Sequence, residues 1–401
     1  MSSDMTKPLA RHGRLRRSSP WATVVKLLAA VIAVVAVSTG SIAAVALWDV
    51  ANSVKPGVDL IPNGGAPPTL SAAEGEINVL VAASDSGGGD VATYGKRGEH
   101  LNDVTMLLHI SANHQQATVI SFPRDMIVPI ASCPNGKGGN YPAQTNKINT
   151  ALTYGGLPCI VKTVENLTGM TIPYAALTEF QGVVAMSNAV GGVTVCVATA
   201  IHDRKISFNL DAGQQTLVGE QAVQFLRVRY GLGDGSDLGR VSNQQLFLSA
   251  LVRKIKTPET LGNPVKDYQL AKAVASNMTL SSSLTNINTL ASIALAVKDI
   301  PFDKVVFVQY PNSYGSSSGQ NGVLPITSAA DVLFAALKAG QPVALTGTTG
   351  VGTEAAPGAP AATSSASADP RATSSAAVQL PSTVHGQTAA QQTCTKGQRA
   401  G

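Results

Sequence analysis

Charge is scarce in this 401-residue chain: 13% of residues are Asp, Glu, Lys or Arg, and 44% are hydrophobic. Such a chain can bury a sizeable core, in one large domain or two small ones. Past residue 50 there are only nine arginines. The formal net charge of +5 belongs to the N-terminus, where Lys7, Arg11, Arg14, Arg16, Arg17 and Lys26 face Asp4 within residues 1–48. The remainder is formally neutral, which leaves no basic face to track a phosphate backbone and argues against a nucleic-acid partner.

Several motifs are also missing. The four cysteines show no C-x-x-C spacing, which argues against zinc. There is no Walker A loop, no H-E-x-x-H and no serine elbow. The six histidines have no ligand spacing, and His109 alternates with apolar residues as a structural histidine would. No internal repeat is present.

What is present begins with residues 27–47, 21 residues without a charge. As a helix they span about 31 Å, enough for a bilayer core. The basic residues precede them, so residues 1–26 are expected in the cytoplasm and everything after Trp48 outside. An uncleaved anchor is expected; Ala44-Val45-Ala46 also offers a signal-peptide cleavage site. Residues 48–75 read as a Pro- and Gly-containing linker. Residues 343–401, rich in Ala, Ser, Thr and Pro, are expected to be disordered. The folded domain is then 76–342. On the exported side, Cys133, Cys159, Cys196 and Cys394 can form disulfides. Cys133 and Cys159 lie in loop-like sequence and would close a loop worth roughly 3–4 kcal/mol. Cys196 reads equally as a buried thiol.

Apolar runs at 77–83, 104–110 and 117–122 predict three strands. Their ends carry Asp85, Asp103, and Arg124 with Asp125. On one edge of one sheet, these would set carboxylates beside arginines where α/β sheets bind ligands. Helices are expected at 158–168, 180–188, 242–256, 264–275, 285–298 and 328–338, with a late strand at 304–309. The fold class is therefore α/β: a three-layer α/β/α sandwich with a mixed central sheet, preceded by one transmembrane helix.

Three of the scarce arginines fall within 225–245 (FLRVRYGLGDGSDLGRVSNQQ). Arg227 and Arg229, two apart, share one side of an extended segment. A Gly-rich loop follows, and Arg240 then lies in the first turn of a helix opened by Asp237. The set suits a phosphate or pyrophosphate. The competing reading is a solvated strand edge paired with Asp234 and Asp237.

The segments at 83–85 (ASD), 102–110 (NDVTMLLHI), 120–125 (ISFPRD), 147–156 (KINTALTYGG), 191–197 (GGVTVCV), 225–230 (FLRVRY) and 237–245 (DLGRVSNQQ) together resemble the LytR-CpsA-Psr family of membrane-anchored cell-wall ligases. The Ala- and Val-rich composition suits an actinobacterial source. The resemblance implies transfer of a glycopolymer from a polyprenyl-pyrophosphate carrier to a peptidoglycan hydroxyl, with the lipid in a hydrophobic pocket. It implies Mg²⁺ on Asp85 and Asp103, and a pyrophosphate clamp of Arg124, Arg227, Arg229 and Arg240. Lys147 and Gln244 match head-group contacts. Asp237 lies close to the reacting phosphate, and Asp237 or Asp125 would act as base. The family has arginines where this chain has Ser86 and Leu101; Arg97, Lys96 or His100 is expected to supply the charge. A non-catalytic polyprenyl-phosphate scaffold and a plain pyrophosphatase are the alternatives.

Overall fold

The computed structural model describes residues 20–60, 75–84, 100–357 and 377–398. Asp85, Lys96 and Arg97 lie outside these residues, as do most of the basic tail and half of the linker. The helices are α1 (Pro20–Ser53), α2 (Ala151–Thr168), α3 (Phe180–Ala189), α4 (Glu220–Arg227), α5 (Asp237–Ile255), α6 (Pro264–Asn277), α7 (Ile287–Lys298) and α8 (Thr327–Lys338). The strands that matter here are β1 (Ile77–Ser84), β2 (Asn102–Ile110), β3 (Ala117–Phe122), β4 (Tyr174–Thr178), β5 (Val193–Thr199), β6 (Ile201–Asp203), β7 (Phe208–Leu210), β8 (Gly213–Leu217), β9 (Met278–Leu280), β10 (Val305–Gln309), β11 (Thr353–Ala355), β12 (Gly386–Thr388) and β13 (Thr393–Lys396).

Helix α1, up to Val50, belongs to a unit of its own. Its stretch Thr23–Ser53 is the one helix among the described residues long and apolar enough to cross a membrane. It is longer at both ends than the uncharged run 27–47, because Trp21, Trp48 and neighbouring polar residues are also compatible with a helix.

The second unit is built on a seven-stranded sheet in the order β9-β4-β1-β2-β3-β10-β12. It is mixed: β1 runs parallel to β4 and β3 to β10, while β1–β2 and β2–β3 are antiparallel. Strand alternation divides the core. Leu80 and Ala82 of β1 face one cluster with α2 and α8 residues such as Val164 and Leu333. Ile77 and Val79 face another, with Ala296 of α7 and partly buried Leu248 and Val274. Helices thus cover both faces, giving the expected three layers.

Helix α5 is buried between the central sheet and a second, four-stranded sheet, β8-β5-β13-β11. Its buried polar residues make hydrogen bonds through their donor groups, while Asn243 Oδ1 and Gln245 Oε1 find no partner among the described residues. Asn243 Nδ2 donates to Phe225 O at 2.7 Å, Gln245 Nε2 to Ser121 Oγ at 3.2 Å, and Gln309 Nε2 to Ser242 Oγ at 2.9 Å. Buried amides without such partners would each cost on the order of 1–3 kcal/mol. The S-N-Q-Q run therefore fixes α5 against both α4 and the central sheet.

The C-terminal segment departs from expectation. Residues 343–357 and 377–398 contain strands, and β12 and β13 each add to a sheet. The intervening 358–376, where disorder was also expected, lie outside the described residues. Short strands of Thr, Gln and Gly lack an apolar signature; pairing and a covalent link hold them. That link is a disulfide, Cys196–Cys394, between neighbouring positions of β5 and β13. The second disulfide is Cys133–Cys159. Gly155, at a kink in α2, leaves room for it: a Cβ there would lie 2.8 Å from Cys133 Cβ.

His109 is buried on β2 and bonds to Asn78. The Asn78 amide already donates to Glu76 Oε1 at 2.7 Å and Thr171 O at 3.0 Å, so His109 Nδ1 donates to Asn78 Oδ1 at 2.9 Å. Burial lowers the His109 pKa below its ordinary 6.5, with Glu76 acting the other way. The unfolded chain therefore takes up this proton first. Its stabilising contribution is complete above about pH 6.5 and declines as pH falls from there towards the folded-state pKa. Unfolding of wild type and His109→Gln should show a weaker acid dependence in the variant; equal dependence would assign the effect elsewhere.

Candidate active site

The register of the sheet brings the three strand ends together. Ser84 pairs with Asn102, and Thr105 with Phe122, so Asp103 and Pro123-Arg124-Asp125 emerge at one edge. The N-terminus of α5 points to the same place. Ser236 caps it, its hydroxyl accepting from Gly239 N at 3.2 Å, and this sets Asp237 and Arg240 in the first turn.

Two arginines and two carboxylates interlock there. Arg124 Nη1 donates to Asp103 Oδ1, which also lies 3.5 Å from Arg240 Nη1. Arg240 Nη2 donates to Asp237 Oδ1 at 2.6 Å, and Arg124 Nε lies 3.7 Å from the same oxygen. The Asp125 amide completes the cage at 3.5 Å from Asp237 Oδ2. The Asp237 and Arg240 side chains are only 1% and 5% exposed. Burial works against the Arg124 charge, yet Asp103, Asp237 and Asp125 outweigh it and hold its pKa above the ordinary guanidinium value. Asp237, placed beneath the arginines, anchors them and is poorly placed as an exposed base. Asp125 lies further out, 3.2 Å from Lys147 Nζ and 4.0 Å from Arg229 Nη2.

The R-x-R pair is not on a strand. Arg227 is the last residue of α4, and Val228 leaves the helix with an extended ψ of 133°. The pattern Phe225-x-Arg227-x-Arg229 imitates strand alternation because it straddles a helix end. The two side chains consequently serve different parts of the site. The Arg227 guanidinium carbon lies 4.6 Å from the centre of the Phe180 ring, a cation–π geometry. Arg229 Nε donates to Gly235 O at 3.2 Å and its Nη2 faces Asp125. Neither pairs with Asp234 or Asp237 among the described ion pairs.

A cavity of about 40 Å³ adjoins the cage, lined by Asp103, Arg227, Arg240 and Gln244 and by apolar side chains including Val104, Phe180, Val223 and Leu226. Gln244 Nε2 donates to Leu226 O at 3.2 Å, tying α5 to the cavity wall. Glu179 and Phe180 complete the wall at the start of α3; lacking any motif, they are visible only from the fold. Of the sequence-predicted residues, Arg124, Asp125, Lys147, Arg229, Asp237, Arg240 and Asp103 form one connected network. Arg227 and Gln244 join it through the cavity. Asp85 and Arg97 are outside the described residues.

The site is thus an α/β domain's sheet edge carrying arginine–carboxylate pairs beside a partly apolar cavity. The chain belongs to the LytR_cpsA_psr family, whose model matches residues 54–337. It is 28% identical over 284 residues to the cell wall biosynthesis protein LcpA of Corynebacterium glutamicum, a match covering 64% of this chain and 54% of that protein. The chain thus spans about half the length of that relative. It is 26% identical over 308 residues to TagT of Bacillus subtilis, named a polyisoprenyl-teichoic acid–peptidoglycan teichoic acid transferase, covering 72% and 86% respectively. Among solved structures, the LytR-Csp2A-Psr enzyme from Actinomyces oris superposes with a TM-score of 0.51 at 22% identity, over 71% of this chain and 96% of that one. This last likeness bears on the fold.

Proposed function

We propose that the protein is a membrane-anchored phosphotransferase that moves a glycopolymer from a polyprenyl-pyrophosphate carrier to a peptidoglycan hydroxyl. The observation that carries the reading is the cage in which Arg124 and Arg240 share Asp103 and Asp237 beside an apolar cavity. Buried Nε donors of both arginines lack an acceptor among the described residues, and a phosphate oxygen would supply one. The transferase name of the TagT relative agrees. Helix α1 would place the domain outside the cell, with the basic tail in the cytoplasm.

The carboxylate oxygens at the edge are hard donors, suited to Mg²⁺. Among the described residues no three His, Cys, Asp or Glu side chains converge as a cage. An ion of this kind is held by one or two carboxylates together with substrate phosphates. Asp103, with Asp85, would hold it, and bound Mg²⁺ would neutralise charge developing on the pyrophosphate oxygens.

The acceptor hydroxyl attacks the phosphorus nearer the sugar. Its P–O bond forms as the bond to the bridging oxygen breaks, and that oxygen leaves with the lipid monophosphate. Arg124, Arg227, Arg229 and Arg240 stabilise the equatorial charge. Asp125, at the mouth of the site, takes the hydroxyl proton. The cavity holds only a few waters, so it must widen to admit a prenyl chain.

Arg124→Ala, Arg227→Ala and Arg229→Ala should each lower kcat/KM for release of polyprenyl monophosphate roughly 10- to 200-fold, since a charge-assisted hydrogen bond contributes about 1.5–3 kcal/mol. Arg→Lys should recover part of the loss, because an ammonium cannot bind two oxygens side by side. Asp103→Ala should abolish Mg²⁺-dependent turnover. Normal turnover in all three alanine variants would end the clamp reading.

A further inference from the structure

The hairpin β6–β7 carries a buried carboxylate for which the mechanism so far has no use. Asp203 is 2% exposed. Its Oδ1 accepts from Lys205 N at 2.9 Å, closing the turn. Its Oδ2 accepts from three successive amides: Arg229 N at 3.1 Å, Tyr230 N at 3.0 Å and Gly231 N at 3.4 Å. Among the described ion pairs none involves Asp203, so backbone N–H groups alone compensate its charge. Burying a carboxylate is costly unless it is fully hydrogen-bonded. Here the hydrogen bonds beyond the local turn go to the segment that carries Arg229.

The same segment is held from its other side. Gly231 O accepts from Gln398 N at 2.8 Å, and Gly233 N donates to Lys396 O at 3.1 Å. The turn therefore lies between the Asp203 carboxylate and the end of β13, whose own position is set by Cys196–Cys394. Arg229 leaves this turn with its Nη2 4.0 Å from Asp125, at the mouth of the site where Lys147 also lies.

We propose that Asp203 is a positioning residue: it fixes the backbone of Arg229–Gly231 so that the Arg229 guanidinium meets the pyrophosphate. The proposal rests on the reading of Arg229 as part of the clamp. A side chain aimed from a fixed backbone loses little freedom on binding, and small misplacements of a clamp group lower turnover steeply.

The test is a double-mutant cycle. Asp203→Asn keeps the shape and one oxygen acceptor but removes the charge. It should lower kcat/KM on a polyprenyl-pyrophosphate-linked saccharide about 10- to 100-fold in the wild-type background. In an Arg229→Ala background the same change should have little further effect. A purely structural role would give equal losses in both backgrounds, tracking a fall in melting temperature, and would overturn the proposal. Should Asp203→Asn fail to fold, Asp203→Ser keeps an acceptor for Lys205 and is read in the same cycle. Full activity of Asp203→Asn with an impaired Arg229→Ala would overturn positioning alone. Full activity of Arg229→Ala would overturn the clamp reading and positioning together.

Discussion

Replacing Arg240 with alanine is expected to cost about 3–5 kcal/mol of stability, the usual penalty for stranding a buried charge. Among the described residues Arg240 Nη2 is the one donor within 3 Å of Asp237 Oδ1, and both side chains are almost wholly buried. Without it, Asp237 keeps, among the described residues, the Arg124 Nε at 3.7 Å and a long bond from the Asp125 amide. Turnover should fall as well, because Asp103 loses one of its two arginines. The double change Arg240→Met with Asp237→Leu removes both charges and should regain much of the stability, since apolar substitutes for a buried pair are often neutral or better. Its turnover should stay low. Denaturant unfolding of the single and double variants checks this. A single variant as stable as wild type would show that Asp237 is not held by Arg240.

The two disulfides should contribute unequally. Cys133–Cys159 spans 26 residues and Cys196–Cys394 spans 198. On the chain-entropy account the first stabilises by about 3.5 kcal/mol and the second by about 5 kcal/mol. Cys196→Ser with Cys394→Ser should therefore destabilise more than Cys133→Ser with Cys159→Ser. It should also release β13, which holds the 229–235 turn, so turnover should fall before global unfolding. Equal losses in both pairs, with turnover unchanged in the folded Cys196–Cys394 variant, would show that β13 holds its place without the covalent link.

The parts of the fold that the sequence reveals are those with apolar signatures. Three strands, their shared edge, and the helix opened by Asp237 follow from hydrophobic runs and helix stops such as Gly169, which adopts a left-handed φ of 63° at the end of α2. The arginine pair misleads because three residues cannot distinguish a strand from a helix end. Further back, Ala222, Val223 and Phe225 are buried on the short α4, a spacing too brief to be recognised. The C-terminal strands are hidden for a different reason. Thr393 and Thr395 are buried by pairing and hydrogen bonding, which composition does not report. Asp203 sits in His-Asp-Arg-Lys, a sequence that reads as an exposed turn; only the fold brings Arg229 to it.

The long separation between Cys196 and Cys394 has a consequence for how the protein is made. At about 5–20 residues per second, Cys394 follows Cys196 by roughly 10–40 seconds of synthesis. During that interval β5 has no β13 to pair with, and its thiol is without its final partner. Cys159 follows Cys133 by only 26 positions, so that pair can close first. Four cysteines allow three pairings, and early closure of Cys133–Cys159 leaves just one of them open. The order of emergence thus favours the correct pairing, and closure of Cys133–Cys159 delayed until Cys196 has emerged would put it at risk.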